Sequence, residues 1–208
     1  MPKKDIHTVA SFTKQRAENL TDGIFATVMT ILVLSLVVPV ITTGNIGQAL
    51  SSDLQNTLPD ILVYVMSFLV LGTLWIGHNN IFRYLERAER NVQWINLIFL
   101  LSVGFIPFTT ALLGKYPLQH IAVMVYGINL LAVGVIYSIF YMYALREKLV
   151  HRDIDRDFVR GAFRRSSVGV FIYFFGIVFS FINPWISIAL YVFMPIYYLA
   201  IGILSSRL

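Results

Sequence analysis

The chain of 208 residues has no cysteine, and only 13% of its residues are charged. The first absence excludes a disulfide framework, thiol catalysis and Cys-ligated zinc or iron–sulfur centres. The second leaves it with roughly half the charge of a soluble domain, which carries about 25%. A disordered segment, a nucleic-acid-binding tail and most soluble enzymes are excluded with it. No low-complexity tract and no internal repeat stand out. A secretory signal is not expected, because residues 1–19 carry Lys3, Lys4, Lys14 and Arg16 without an apolar core of the needed length.

What is present is hydrophobic: 57% apolar residues, 14% aromatic residues and a mean hydropathy of +0.73. Charge is missing from five long stretches: 23–52, 61–82, 91–114, 116–145 and 166–206. About 20 apolar residues of helix cross the hydrocarbon core of a bilayer. The first four stretches hold one crossing each. The fifth is long enough for two, divided at Ile182-Asn183-Pro184, because proline removes a helix donor and disfavours helix before it. The expectation is an all-α polytopic membrane protein, residues 1–208 forming one domain of six transmembrane helices at about 20–41, 59–82, 91–113, 119–144, 166–182 and 184–205. So short a chain cannot enclose that many buried helices in a soluble core.

Six crossings put both termini on one side, together with 15 of the 16 Lys and Arg residues; Lys115 is the exception. By the positive-inside rule the termini are cytoplasmic, and the expected location is the plasma membrane, the inner membrane of a bacterium. The net charge of +5 therefore reads as topology, with membrane lipids as partner and no nucleic acid. Residues 42–57 are polar, but Ile46, Leu50 and Leu54 recur every four residues, which suggests a short amphipathic helix on the outer surface, ending before Pro59. The basic and acidic segment Arg146–Arg165 reads as a solvated helical hairpin loop in contact with anionic lipid.

Polar residues at membrane depth are costly and mark function. Two readings compete for Thr21 and Asp22. Either can cap the first helix, or Arg16, Asp22 and Gly23 belong to a structured polar cluster near the cytoplasmic mouth. In span 2, His78, Asn79 and Asn80 follow Trp75 at the same membrane face, within reach of Asp22 or Arg16. Trp75 alone would be an interfacial anchor. A metal site is not expected, since His78 lacks a His or carboxylate at i+4. Mid-span Ser67, Ser102 and Ser180 have no charged or histidine neighbour in sequence, and no nucleophile–base pair or cofactor motif appears, so neither enzyme nor cofactor is expected.

Inside span 1, Gly23, Thr27, Thr30, Ile31 and Leu34 share one helical face. Threonine hydroxyls can simply bond the preceding turn of their own helix. The same face suits a pore wall, where hydroxyls and carbonyls partly replace an ion's water and apolar rings close by dewetting. A symmetric oligomer would repeat it around an axis.

Arg16-x5-Asp22 with Leu20-Thr21-Asp22-Gly23 resembles the Arg-x3-Phe-Ser-Asp signature that opens the first helix of the transmembrane protein 175 potassium channels, in their prokaryotic six-helix form. Trp75-x2-His78-Asn79 is similar to the second element of that family. The resemblance implies a homotetramer whose first helices line a central potassium-conducting pore, without the TVGYG loop of ordinary potassium channels, which is absent here. It implies Thr27, Ile31 and Leu34 as constriction positions and Thr30 as a threonine layer bearing on selectivity. It also implies a structural polar network of Arg16, Thr21, Asp22, Trp75, His78 and Asn79, with no metal beyond the permeating potassium ion. Leu20 and Thr21 replace the family's Phe and Ser. Thr27 replaces Ile or Leu, which leaves the apolar barrier to Ile31 and Leu34. The expected function is a potassium-preferring cation channel with passive conduction. The alternative is a small proton-coupled transporter using Asp22 and His78 as a relay.

Overall fold

A computed structural model describes the backbone of residues 3–41, 45–151 and 156–205 and the side chains of 14–41, 45–151, 157 and 159–200. Among the described residues there are seven α-helices: α1 (Lys3–Leu32), α2 (Ile46–Tyr84), α3 (Arg90–Gly104), α4 (Ile106–Lys115), α5 (His120–Arg146), α6 (Arg156–Ser180) and α7 (Pro184–Ser205). Helices α3 and α4 form one broken crossing. Counting them together, five helices are long and apolar enough to span a bilayer, and α7 adds a shorter apolar stretch over Pro184–Ala200. The chain is thus an all-helical, multi-pass membrane protein.

Large apolar side chains face outward along most helices, among them Leu62, Ile98, Leu101, Ile121, Phe171 and Val178. In water these would cost folding energy; in lipid they meet a solvent as apolar as themselves. With little hydrophobic force between helices, packing relies on small residues and hydrogen bonds. Tyr191 of α7 illustrates the first. Its ring lies where Gly127 of α5 and Gly176 of α6 present no side chain, and a Cβ on either would overlap the phenol. Ser67, Thr110 and Tyr126 illustrate the second. Thr110 donates to Ser67 Oγ (2.8 Å), which pairs with Tyr126 Oη (3.0 Å), tying α2, α4 and α5.

Four helix bounds differ from the sequence expectation; one is the fifth crossing, expected at 166–182, whose helix runs Arg156–Ser180 and so begins ten residues earlier. The first crossing was expected at 20–41, but the helix runs Lys3–Leu32, tightens to a 3-10 turn at Val33–Ser35 and then extends. Pro39 disfavours helix at Val38, and the β-branched pair Val37-Val38 adds to that preference. The outer amphipathic helix is not separate. Asn45 caps it, accepting from the Gly47 (3.1 Å) and Gln48 (3.5 Å) amides, and the same helix continues through Pro59 to Tyr84. Pro59, which removes one amide donor from the helix, is exposed. Residues 42–44 of that expected segment lie outside the described residues. The third crossing breaks at Phe105, because Pro107 offers no N–H to the preceding turn. With its amide nitrogen toward Ser102 O (3.0 Å) and its oxygen toward the Ile106 N–H (3.3 Å), Asn129 of α5 bridges the break.

The segment after α5 also departs from a plain solvated hairpin. Leu85 and Val150 form an isolated antiparallel bridge; the Glu86 N–H donates to Leu149 O (2.8 Å) and the His151 N–H to Tyr84 O (2.9 Å). Leu149 is buried. Lys14 of α1 donates to Leu85 O (2.7 Å) at the same place. The basic N-terminal stretch, the α2–α3 turn and the α5–α6 connection therefore gather at one end of the bundle. Arg152, Asp153, Asp155 and Arg207, which belong to these basic and acidic segments, lie outside the described residues, as do the side chains of Lys3 and Lys4.

Candidate pore face and polar network

Helix α1 has two sharply different faces. Ala17, Thr21, Phe25, Val28 and Leu32, spaced by three and four residues, are buried against the rest of the chain. Phe25 packs on Phe99 of α3 with ring centroids 6.1 Å apart. The opposite side carries Gly23, Ala26, Thr27, Thr30 and Ile31, all exposed. Ile31 is 46% exposed, and Leu34, on the 3-10 turn beyond the helix, is 74% exposed. The structure thus brings Thr27, Thr30, Ile31 and Leu34 to one uncovered surface that the chain's own packing leaves free.

The two threonines on this face are already engaged as donors. Thr27 Oγ1 donates to Gly23 O (2.8 Å), and Thr30 Oγ1 lies 2.9 Å from Ala26 O and 2.8 Å from Thr27 O. The local bond to the preceding turn, one of the two readings of these residues, is therefore made. It does not compete with the other reading. A hydroxyl whose proton is committed to the backbone presents its remaining lone pairs outward, as an acceptor.

On the buried face lies the polar network. Thr21 Oγ1 donates to Ala17 O (2.9 Å), and Asn96 Nδ2 of α3 donates to Thr21 Oγ1 (3.1 Å). Asn96 Oδ1 pairs with His78 Nε2 of α2 at 2.8 Å, so the imidazole is the donor there. All three side chains are 1% exposed. Around His78, the rings of Phe82 and Phe99 stack at 4.6 and 5.2 Å and that of Phe140 meets it edge-on at 6.1 Å. Asp22, one residue from Thr21, points the other way. Its Oδ1 accepts from Trp75 Nε1 at 2.8 Å, an exposed bond between α1 and α2. Two separate latches therefore hold α1: Asp22–Trp75 at the surface and Thr21–Asn96–His78 inside.

Capping does not account for Thr21 and Asp22. The helix begins at Lys3, well before them, so they sit mid-helix with amides already bonded and no free N-terminal donors to satisfy. His78 reaches Asn96 rather than Asp22, and the two proposed relay groups share no hydrogen bond. Asn79 is half-buried and has no side-chain hydrogen bond among the described residues. Arg16 is exposed on α1, ahead of Asp22. Sequence reading missed Asn96, the centre of the inner latch. Its signal was present: an amide inside an uncharged run, two residues after Trp94 and six after Arg90, where an unpaired polar group would be costly. Among the described residues, no group of three or more His, Asp or Glu side chains gathers as a metal site.

Known proteins resemble this chain in sequence and in fold. The family described as "Endosomal/lysosomal potassium channel TMEM175" matches residues 16–107, from Arg16 through both latches to the α3–α4 break. A protein of Chamaesiphon minutus named as a potassium channel is 30% identical over 191 residues, covering 88% of this chain and 92% of the relative. The human endosomal/lysosomal proton channel TMEM175 is 24% identical over 159 residues, which cover 75% of this chain and 31% of the human protein. Among solved structures, a crystal structure of a lysosomal potassium-selective channel TMEM175 homolog from Chamaesiphon minutus superposes with a TM-score of 0.80 at 27% identity, covering 90% of this chain and 97% of that one. Sequence identity sustained over nearly the full length of a bacterial relative, on a matching six-crossing backbone, makes this chain a member of the TMEM175 channel family.

Proposed function

We propose that the chain is a potassium-preferring cation channel, conducting passively through a central pore formed by four copies, each contributing the exposed face of α1. The observation that carries the reading is that face. Thr27, Thr30, Ile31 and Leu34 are unburied within the chain while the opposite side of α1 is packed and latched. A pore helix needs that division: a fixed back and an uncovered front. Ile31 and Leu34 form the apolar constriction, with Thr27 one turn before Ile31. Thr30 supplies oxygen lone pairs to a partly dehydrated cation. The 3-10 turn at Val33–Ser35 sets Leu34 off the α-helical register, so the constriction spans a change in helix geometry. In the Asp22–Trp75 and Thr21–Asn96–His78 latches we read the parts that keep α1 from rotating its face away; Arg16 and Asn79 flank them. The 1–208 unit works as one channel domain.

With its basic end in the cytoplasm, the protein sits in the bacterial inner membrane with both termini inside. The test is flux. Purified protein in liposomes under a potassium gradient should collapse that gradient passively once the membrane potential is shunted. A flux that requires a proton gradient would support the transporter reading instead. Against a relay stands the geometry, since Asp22 bonds Trp75 and His78 bonds Asn96, with no hydrogen bond joining the two. The naming of the human relative as a proton channel makes proton flux a necessary second arm of the same assay.

A further inference from the structure

Away from α1, a cavity of about 350 Å³ opens between α2, α5, α6 and α7. Its volume falls in the range of small-molecule sites, about 300–1,000 Å³. Two helix faces form its long walls. On α2 these are Thr73, Gly77, Asn80 and Tyr84, at helical spacing. On α6 they are Ala162, Arg165, Gly169 and Tyr173. From Tyr84 to Thr73 the wall is roughly 16 Å long at 1.5 Å per residue, about half the hydrocarbon core.

The cavity wall is mostly apolar, with its guanidinium and amide groups gathered at one end. Tyr84, Asn80 and Arg165 lie toward the basic end of the bundle, beside the Leu85–Val150 bridge. Thr73, Leu74, Gly134 and Tyr173 lie deeper; Leu199 adds apolar wall at the other end, next to Tyr198, whose hydroxyl donates to Arg165 O (3.0 Å). Three glycines, Gly77, Gly134 and Gly169, line it. Arg165 is half-buried and pairs with no carboxylate among the described residues; the two ion pairs there are Arg87–Glu89 and Arg160–Asp157. The five donors of its guanidinium match a phosphate.

We propose that this cavity binds an anionic membrane phospholipid, its phosphate held by Arg165 and the Asn80 amide and one acyl chain lying along the groove past Leu74 and Gly169. The length and apolar walls argue for a lipid over a free anion, which would fill only the Arg165 end. The site is separate from the pore face on α1.

The test is native mass spectrometry of delipidated protein in detergent, offered dioleoyl phosphatidylglycerol, dioleoyl phosphatidylcholine or sodium phosphate. Wild type should retain phosphatidylglycerol in preference to phosphatidylcholine. R165Q should cut that retention at least about tenfold, the loss of a charge-assisted contact, while R165K should keep most of it. A162F, which fills the groove and leaves the charge, should exclude the lipid; it and R165K decide the matter if R165Q does not fold. Equal retention of the two lipids, or full retention of phosphatidylglycerol by A162F, would overturn the proposal. So would displacement of the lipid by millimolar phosphate, which would leave a free-anion site.

Discussion

Replacing Asn96 with alanine tests the inner latch most directly. Asn96 Oδ1 is the partner of His78 Nε2 at 2.8 Å, and Asn96 Nδ2 donates to Thr21 Oγ1 at 3.1 Å. The two losses are unequal. Thr21 keeps its bond to Ala17 O, so its hydroxyl stays satisfied as a donor. His78 is 1% exposed and enclosed by Phe82, Phe99 and Phe140, so its ring donor is left with no partner. An orphaned buried polar group costs about 1–3 kcal/mol, whereas hydrogen bonds between membrane helices are worth about 0.6 kcal/mol on average. The orphaning penalty, not the bond itself, should therefore dominate. Asn96→Ala should destabilise by about 1–3 kcal/mol, while the double variant Asn96→Ala/His78→Leu, which removes the orphan, should recover part of that loss. The assay is reversible unfolding in mixed detergent micelles, followed by far-ultraviolet circular dichroism, for the wild type, both single variants and the double. The reasoning fails if the double variant is as unstable as the sum of the singles, because the residues would then be energetically independent.

Other outcomes follow from the same coordinates. A Cβ at Gly77 would overlap the Tyr137 hydroxyl, so Gly77→Ala should lower stability by about 1–3 kcal/mol and Gly77→Ala/Tyr137→Phe should restore most of it in thermal melts. Ile31→Asn or Leu34→Ser should raise single-channel conductance or lower potassium-over-sodium selectivity; unchanged currents in both would remove α1 from the pore wall. Trp75→Phe and Asp22→Ala should lower tetramer recovery in detergent to a similar degree, since each deletes the same 2.8 Å bond. Asp22→Asn keeps an acceptor oxygen and should lose less. Thr30→Ser keeps the hydroxyl and should conduct with near-native selectivity in bilayer recordings, whereas Thr30→Val should not.

The broad architecture was legible in the order of residues because a bilayer imposes a simple rule: charge is excluded over about 20 helical residues. The gaps between Asp22, Asp53, Asp60, Arg83, Arg90, Lys115, Arg146 and Arg165 therefore mark the crossings, and the asymmetry of Lys and Arg marks the two ends. The face of Thr27, Thr30 and Ile31 could likewise be read from a spacing of three and four. Helix ends were less legible. Pro59 and Pro107 look alike in sequence, yet α2 runs through the first and the α3–α4 crossing breaks at the second. The difference lies in surroundings. Pro59 is exposed, whereas the break before Pro107 is bridged by Asn129 from another helix.

Residue order alone determined which segments enter the membrane, because solvation by lipid acts on each segment separately. Only the tertiary structure decided which polar groups meet. His78 turns to Asn96, Asp22 to Trp75, and Arg165 to an open groove, and these choices depend on the rotation of each helix against its neighbours. A hydrogen bond between helices forms within about 3 Å, and no periodicity within one helix fixes the position of another to that tolerance.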